Sequence, residues 1–148
     1  MTSDDLAKTL ESNLTTISGE QFTRWTDERG DSRFATWVGG IRVYLSIERW
    51  GSADSVLIGH SLIAGRVASS AEAAAWVAER NSTLRVGRID HTDDTVAFTH
   101  ALFSSSVTVS SLRSLLALLA LETLAFPDLA SRVGGALKPS DAADLKDL

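Results

Sequence analysis

The chain has no cysteine, so disulfides, thiolate metal sites and cysteine nucleophiles are all excluded. It has two prolines, which leaves long stretches free to form uninterrupted helix or strand. No segment concentrates lysine and arginine, and 14 basic against 19 acidic side chains give a formal charge of −5. Nucleic acid and anionic membrane surfaces are therefore not expected as partners. The acidic start, Met1-Thr2-Ser3-Asp4-Asp5, lacks the basic and apolar regions of a secretory leader. The most apolar run, Leu115 to Phe126, covers 12 residues and includes Glu122 and Thr123. A bilayer needs about 20 residues, so this run is expected to be a buried helix. A cytoplasmic protein follows as the expectation.

What the chain does have is the composition of a folded domain. Hydrophobic residues make up 44% and charged residues 22% of its 148 positions. A chain of this length can bury about 68–70% of its unfolded surface. One domain is expected over residues 1–135, followed by an acidic tail, 136–148, expected to fray.

Leu6, Leu10 and Leu14 recur at helical spacing behind Asp4 and Asp5, which predicts an opening helix over 4–16. Strands are predicted over Gln21–Thr26 and Phe34–Val38, separated by the turn Asp27–Asp31. Alternation is clearest from Ile41 to Trp50, where Ile41, Val43, Leu45 and Ile47 share one face. After the loop Gly51–Asp54, Ser55 to Val67 reads as a strand apolar on both faces. Ser69 and Glu72 have capping-box spacing ahead of an alanine-rich helix over 71–80, which Asn81-Ser82 should end. Leu84 to Asp90 and Thr95 to Phe103 then read as a hairpin around His91-Thr92-Asp93-Asp94. A last long helix, capped by Thr108 or Ser110, presents Leu112, Leu115, Leu116, Leu119 and Thr123 on one face. Pro127 should kink or end it, with a further helical turn over Asp128–Val133. Strands joined by tight loops imply an α+β fold, an antiparallel sheet with helices packed on one face.

The stretch Ala73-Ala74-Ala75-Trp76-Val77-Ala78-Glu79-Arg80-Asn81-Ser82, the hairpin Leu84-Arg85-Val86-Gly87-Arg88 with Asp93-Asp94-Thr95-Val96-Ala97-Phe98, and the leucine-rich final helix together resemble bacterial YbjN-like proteins. That family is similar in fold to type III secretion chaperones. The resemblance covers about residues 41 to 134 and implies a peptide-binding, chaperone-like role, usually as a homodimer, with no cofactor and no catalytic residues. The implied partner is another polypeptide, such as a secretion substrate. The acidic loop carrying His91 and the break at Pro127 depart from the pattern, and function does not follow from fold alone.

The chemistry-bearing residues add little to set against this. His91 with Asp90, Asp93 and Asp94 could hold a cation, but their spacing fits a solvated turn better, and no metal site is assigned. His60 and His100 share parity with apolar neighbours in their strands and should be partly buried, either as structural rings or as a pH-sensitive pair. No serine lies in a Gly-x-Ser-x-Gly elbow, and the glycines form no phosphate-binding loop. No catalytic residue is assigned. A hydrolase using His60 or His100 would need an acid or nucleophile within hydrogen-bond reach.

The remaining signal is apolar surplus. Tyr44 and Trp50, with Leu57 and Ile63 on the next strand and Trp37 nearby, have the opposite parity to the expected core. They are the candidate partner-binding residues, forming an exposed patch for a client or a second copy of the chain. The alternative is a structural or regulatory dimeric subunit in which that patch is the dimer interface.

Overall fold

The computed structural model describes residues 1–19, 21–51 and 54–139, with the side chain of Trp50 excepted. The fold is α+β: a six-stranded antiparallel sheet with helices packed on it. In chain order the elements are α1 (Ser3–Ser18), β1 (Phe22–Thr26), β2 (Ser32–Val38), β3 (Ile41–Trp50), β4 (Asp54–Ala64), α2 (Ala71–Thr83), β5 (Arg88–Thr92), β6 (Thr95–Phe103), α3 (Val109–Glu122) and α4 (Phe126–Arg132), with short 3-10 turns at Ser104–Ser106 and Thr123–Ala125. The strand order is β1-β2-β3-β4-β6-β5, so β1 and β5 are the edges. Contacts gather into two compact units, Met1–His60 with His100–Ala120, and Ser61–Thr99 with the segment from Leu121 onward.

In the first unit, α1 opens at Thr2, whose Oγ1 accepts the Asp5 N–H at 3.1 Å while the Asp5 carboxylate accepts the Thr2 N–H at 3.4 Å. This reciprocal pairing satisfies two amides that the helix cannot. The predicted stripe Leu6, Leu10 and Leu14 is fully buried. Each such leucine contributes about 1.5–3 kcal/mol. Asp27 organises the β1–β2 turn: its carboxylate accepts the Arg29 and Asp31 N–H groups and the Arg33 Nε–H, each at 2.9 Å. The Arg33 hydrogen bond, reinforced by the Asp31 amide, holds the Asp27 pKa below the usual carboxylate range. Gly39 and Gly40 both have positive φ, and Val38 pairs with Ile41, which makes them the two-residue turn of a tight hairpin. On α3, Thr108 supplies the cap, its Oγ1 accepting the Ser111 N–H at 3.1 Å. Leu112, Leu115, Leu116 and Leu119 are buried, as their spacing predicts.

In the second unit the sequence expectations need adjusting. The α2 cap is Ser70, whose Oγ accepts the Ala73 N–H at 3.1 Å; the Ser69–Glu72 box is out of phase by one residue. The helix continues through Thr83 because Asn81 does not terminate it. Instead the Asn81 side chain takes the Ile89 N–H on Oδ1 at 2.7 Å and donates Nδ2–H to the Ile89 carbonyl at 2.9 Å. Residues 84–87 form no strand. Gly87, with φ +70°, passes so close to Phe98 and Thr99 that a Cβ there would lie 2.7 Å from the Thr99 carbonyl oxygen. β5 starts only at Arg88 and runs through His91, so the turn is Asp93–Asp94, with Asp93 at φ 55°. Pro127 stands in the first turn of α4, where a missing N–H costs nothing, and so begins a helix. Of the tail expected to fray from residue 136, Leu137 is bound to Gly65 by reciprocal backbone hydrogen bonds of 2.8 and 2.9 Å. Residues 140–148 lie outside the described residues.

The helical stretch Val109–Arg132, mean hydropathy 1.5, is long and apolar enough to cross a membrane by length and composition alone. In the fold, α3 is a core helix: Leu115 and Leu119 pack closely over Gly59 of β4.

Candidate binding face

The register of the first unit sorts its side chains into two faces. Arg33, Ala35 and Trp37 of β2 stand opposite Ser46, Tyr44 and Arg42 of β3, so these six point to one side. His60 of β4 joins them, because its ring stacks on Tyr44 with centroids 5.4 Å apart and planes 13° from parallel. Gly59, one residue earlier, points the other way, toward α3. α1 is on that same side as α3: Ser3 meets Ser55 hydroxyl to hydroxyl at 3.1 Å, and Glu11 pairs with Arg24 at 2.8 Å. Both helices of this unit therefore cover one face. The face carrying Trp37, Arg42, Tyr44 and His60 has no helix from this unit among the described residues.

This corrects the expected patch. Trp37 is exposed, at 59%, but Tyr44 is buried at 4% and Leu57 and Ile63 are fully buried. Leu57 has the parity of Gly59 and faces the helix side, not the side of Tyr44. The expected phase between β3 and β4 was off by one residue, and a slip of one inverts every side chain. Trp50 ends β3, and its side chain lies outside the described residues.

On the face opposite α1 and α3, Arg42 lies near two aromatic rings. Its guanidinium carbon lies 5.2 Å from the Tyr44 ring centroid and 6.0 Å from that of Trp37. The arrangement is a cation between two π faces, each contact contributing about 0.5–1 kcal/mol where exposed. Trp25 of β1 stands opposite Arg33 and so lies on this face too. Burial, with the Arg33 charge adding to it, lowers the His60 pKa from 6.5 to about 4, so the ring is neutral at pH 7. Neutral imidazole stacks on Tyr44 without a desolvated charge.

His100 lies elsewhere. With Leu102 it lines an open cleft of about 290 Å³ against Ser111, Ser114, Leu115 and Leu118 of α3. His60 and His100 therefore occupy opposite faces and form no pair. The cleft places a histidine near two serines, but the Ser111 hydroxyl donates to the Ser106 carbonyl at 2.6 Å. That leaves it poorly disposed as a nucleophile. Among the described residues no three His, Asp or Glu side chains gather as metal ligands. His91 is not part of a solvated turn, for its Nε2 lies 2.6 Å from the Val67 carbonyl oxygen, and Asp90 pairs with Arg88 at 3.2 Å.

The signals for this face were split in the sequence. Trp37 and Tyr44 stood out as surplus aromatics, whereas Arg42 and His60 became part of the site only through cross-strand pairing. A scan against protein-family models matches no family, and a search of curated proteins finds no match.

Proposed function

We propose that the protein is a non-catalytic, polypeptide-binding domain of the cytoplasm that engages its partner at the Trp37–Arg42 end of the β2–β3 face opposite α1 and α3. The observation that carries this reading is Trp37, 59% exposed and held beside Arg42 at the end of the β2–β3 hairpin. A large aromatic fixed in an exposed position has little conformational entropy left to lose, and Trp and Arg are the residues most enriched at binding hot spots. The α+β fold accords with the resemblance to YbjN-like proteins and hence with a chaperone-like role, for example holding a secretion substrate. The resemblance also implies a homodimer. The test is a pulldown from native cytosol with wild type beside Trp37→Ala, read by mass spectrometry. A stoichiometric partner lost only in the variant supports the reading, and a partner profile indifferent to Trp37 overturns it.

A second reading is favoured by a different observation. Leu121 and Leu124, three residues apart on a helical segment, are 59% and 68% exposed. Apolar side chains so placed suit a second copy of the chain, and a structural dimer would then be the function itself. Light scattering on wild type and Leu121→Glu, run beside the Trp37 pulldown, tests this: a dimer lost in the variant with no partner captured supports it, and a monomeric wild type overturns it.

A further inference from the structure

We infer that the Trp37–Arg42 end of this face binds an acidic segment of its partner, with a carboxylate on the Arg42 guanidinium and an apolar or aromatic side chain against Trp37. The inference rests on the docking face proposed above and assigns it a chemistry.

Charge complementarity is the ground. Arg33, the other arginine of β2 and β3 on this face, has its Nε–H bound to the Asp27 carboxylate at 2.9 Å. Arg42 has no carboxylate within ion-pair distance among the described residues; its contacts are the rings of Trp37 and Tyr44. Contacts with the two rings use none of the guanidinium N–H donors. Those donors suit a bidentate carboxylate, the geometry in which arginine exceeds lysine. The neighbouring Trp37 ring offers apolar surface to the adjacent residue of an extended chain.

The same face limits what else could dock. Glu48 lies on it, three same-face positions from Arg42 along β3, about 20 Å away at the usual rise per residue. With the formal charge of −5, this opposes a polyanion, whose binding needs several cations in a row. A short segment with one or two carboxylates at its Arg42 end meets the cation and avoids Glu48. A nucleotide phosphate would find Arg42 as the one arginine of β2 and β3 on this face not paired with a carboxylate among the described residues.

The experiment uses the full chain and four labelled probes in fluorescence anisotropy: a ten-residue peptide alternating glutamate with leucine and phenylalanine, the same peptide with glutamine for glutamate, the same with lysine, and a single-stranded oligonucleotide. The acidic peptide is expected to bind tightest, with glutamine costing about tenfold, as the loss of a charge-assisted pair predicts. Arg42→Gln should erase that preference, Arg42→Lys should restore part of it, and circular dichroism of both variants checks the fold. Equal binding of the acidic and glutamine peptides, both abolished by Trp37→Ala, would overturn the acidic preference and leave the docking face standing. Tightest binding by the oligonucleotide would overturn the inference in favour of a nucleic-acid ligand. Binding of no probe, together with a pulldown indifferent to Trp37, would overturn both.

Discussion

Tyr44 and His60 lie ring on ring across β3 and β4, with planes only 13° apart, and Arg42 approaches Tyr44 from the same strand. The stack sets the phase of the whole face, and it makes His60 a half-buried base whose charged form the fold resists.

A pH dependence follows. The folded pKa of His60 is about 4 against an ordinary 6.5. The unfolded chain therefore binds the proton more readily between these values. Stability from this ring is fully present above about pH 6.5, is lost as pH falls toward 4, and changes no further below that. At about 1.4 kcal/mol per unit the loss is on the order of 3 kcal/mol. Urea unfolding at pH 7 and pH 4.5 should show it, and His60→Phe, which keeps a ring over Tyr44, should remove that part of the acid sensitivity. An unchanged acid dependence in the variant would refute the assignment.

Gly59 and Gly87 should respond differently to alanine. At Gly59 the new Cβ meets Leu119 Cδ1 at 2.8 Å, the end of a flexible side chain, and a cost of about 1 kcal/mol is expected. At Gly87 it meets the Thr99 carbonyl oxygen at 2.7 Å in a backbone with φ +70°, and strain adds to overlap. About 3 kcal/mol or more is expected there. Thermal melts of the two variants give the order directly.

Asn81 should be needed for stability although it belongs to no catalytic group. Asn81→Ala leaves the Ile89 N–H and carbonyl without their protein partners, and about 2 kcal/mol is expected to be lost. Asn81→Asp keeps the acceptor for the amide but puts a carboxylate against the carbonyl, and should be no better. Denaturant midpoints of both variants against wild type decide this.

Leu57 and Trp37 should separate fold from binding. Leu57→Ala empties a fully buried site and should cost about 2–5 kcal/mol. Trp37→Ala should leave the melting temperature within a few degrees while weakening partner capture. If Trp37→Ala unfolds the protein, the ring belongs to the core and the face has been misassigned.

Sequence periodicity located most helices and strands in chain order, because each depends on residues within one element, but it placed a strand over 84–87 where none forms and missed that Pro127 opens a helix. It placed Leu6, Leu10 and Leu14, and Leu112 to Leu119, on their buried faces correctly for the same reason. The phase between β3 and β4 is a relation between elements. β4 is apolar on both faces, so its own pattern cannot say which of Leu57 and Ile58 turns toward the helices. Arg42 was illegible as a site residue for the same reason: a lone arginine in an alternating strand reads as solvated until its cross-strand neighbours are known. Asn81 was read as a helix stop because asparagine is a good one, and its long-range bond to Ile89 leaves no local mark.

That bond also bears on how the molecule meets its own copies. β5 is the last strand at its end of the sheet, and an edge strand offers bare backbone groups to any passing strand. At Ile89 the Asn81 amide already stands where the peptide group of a neighbouring strand would lie, donor to acceptor and acceptor to donor. A strand docking on β5 would have to displace the Asn81 side chain from Ile89. That side chain is a guard at Ile89 against the edge-to-edge growth from which fibres are built.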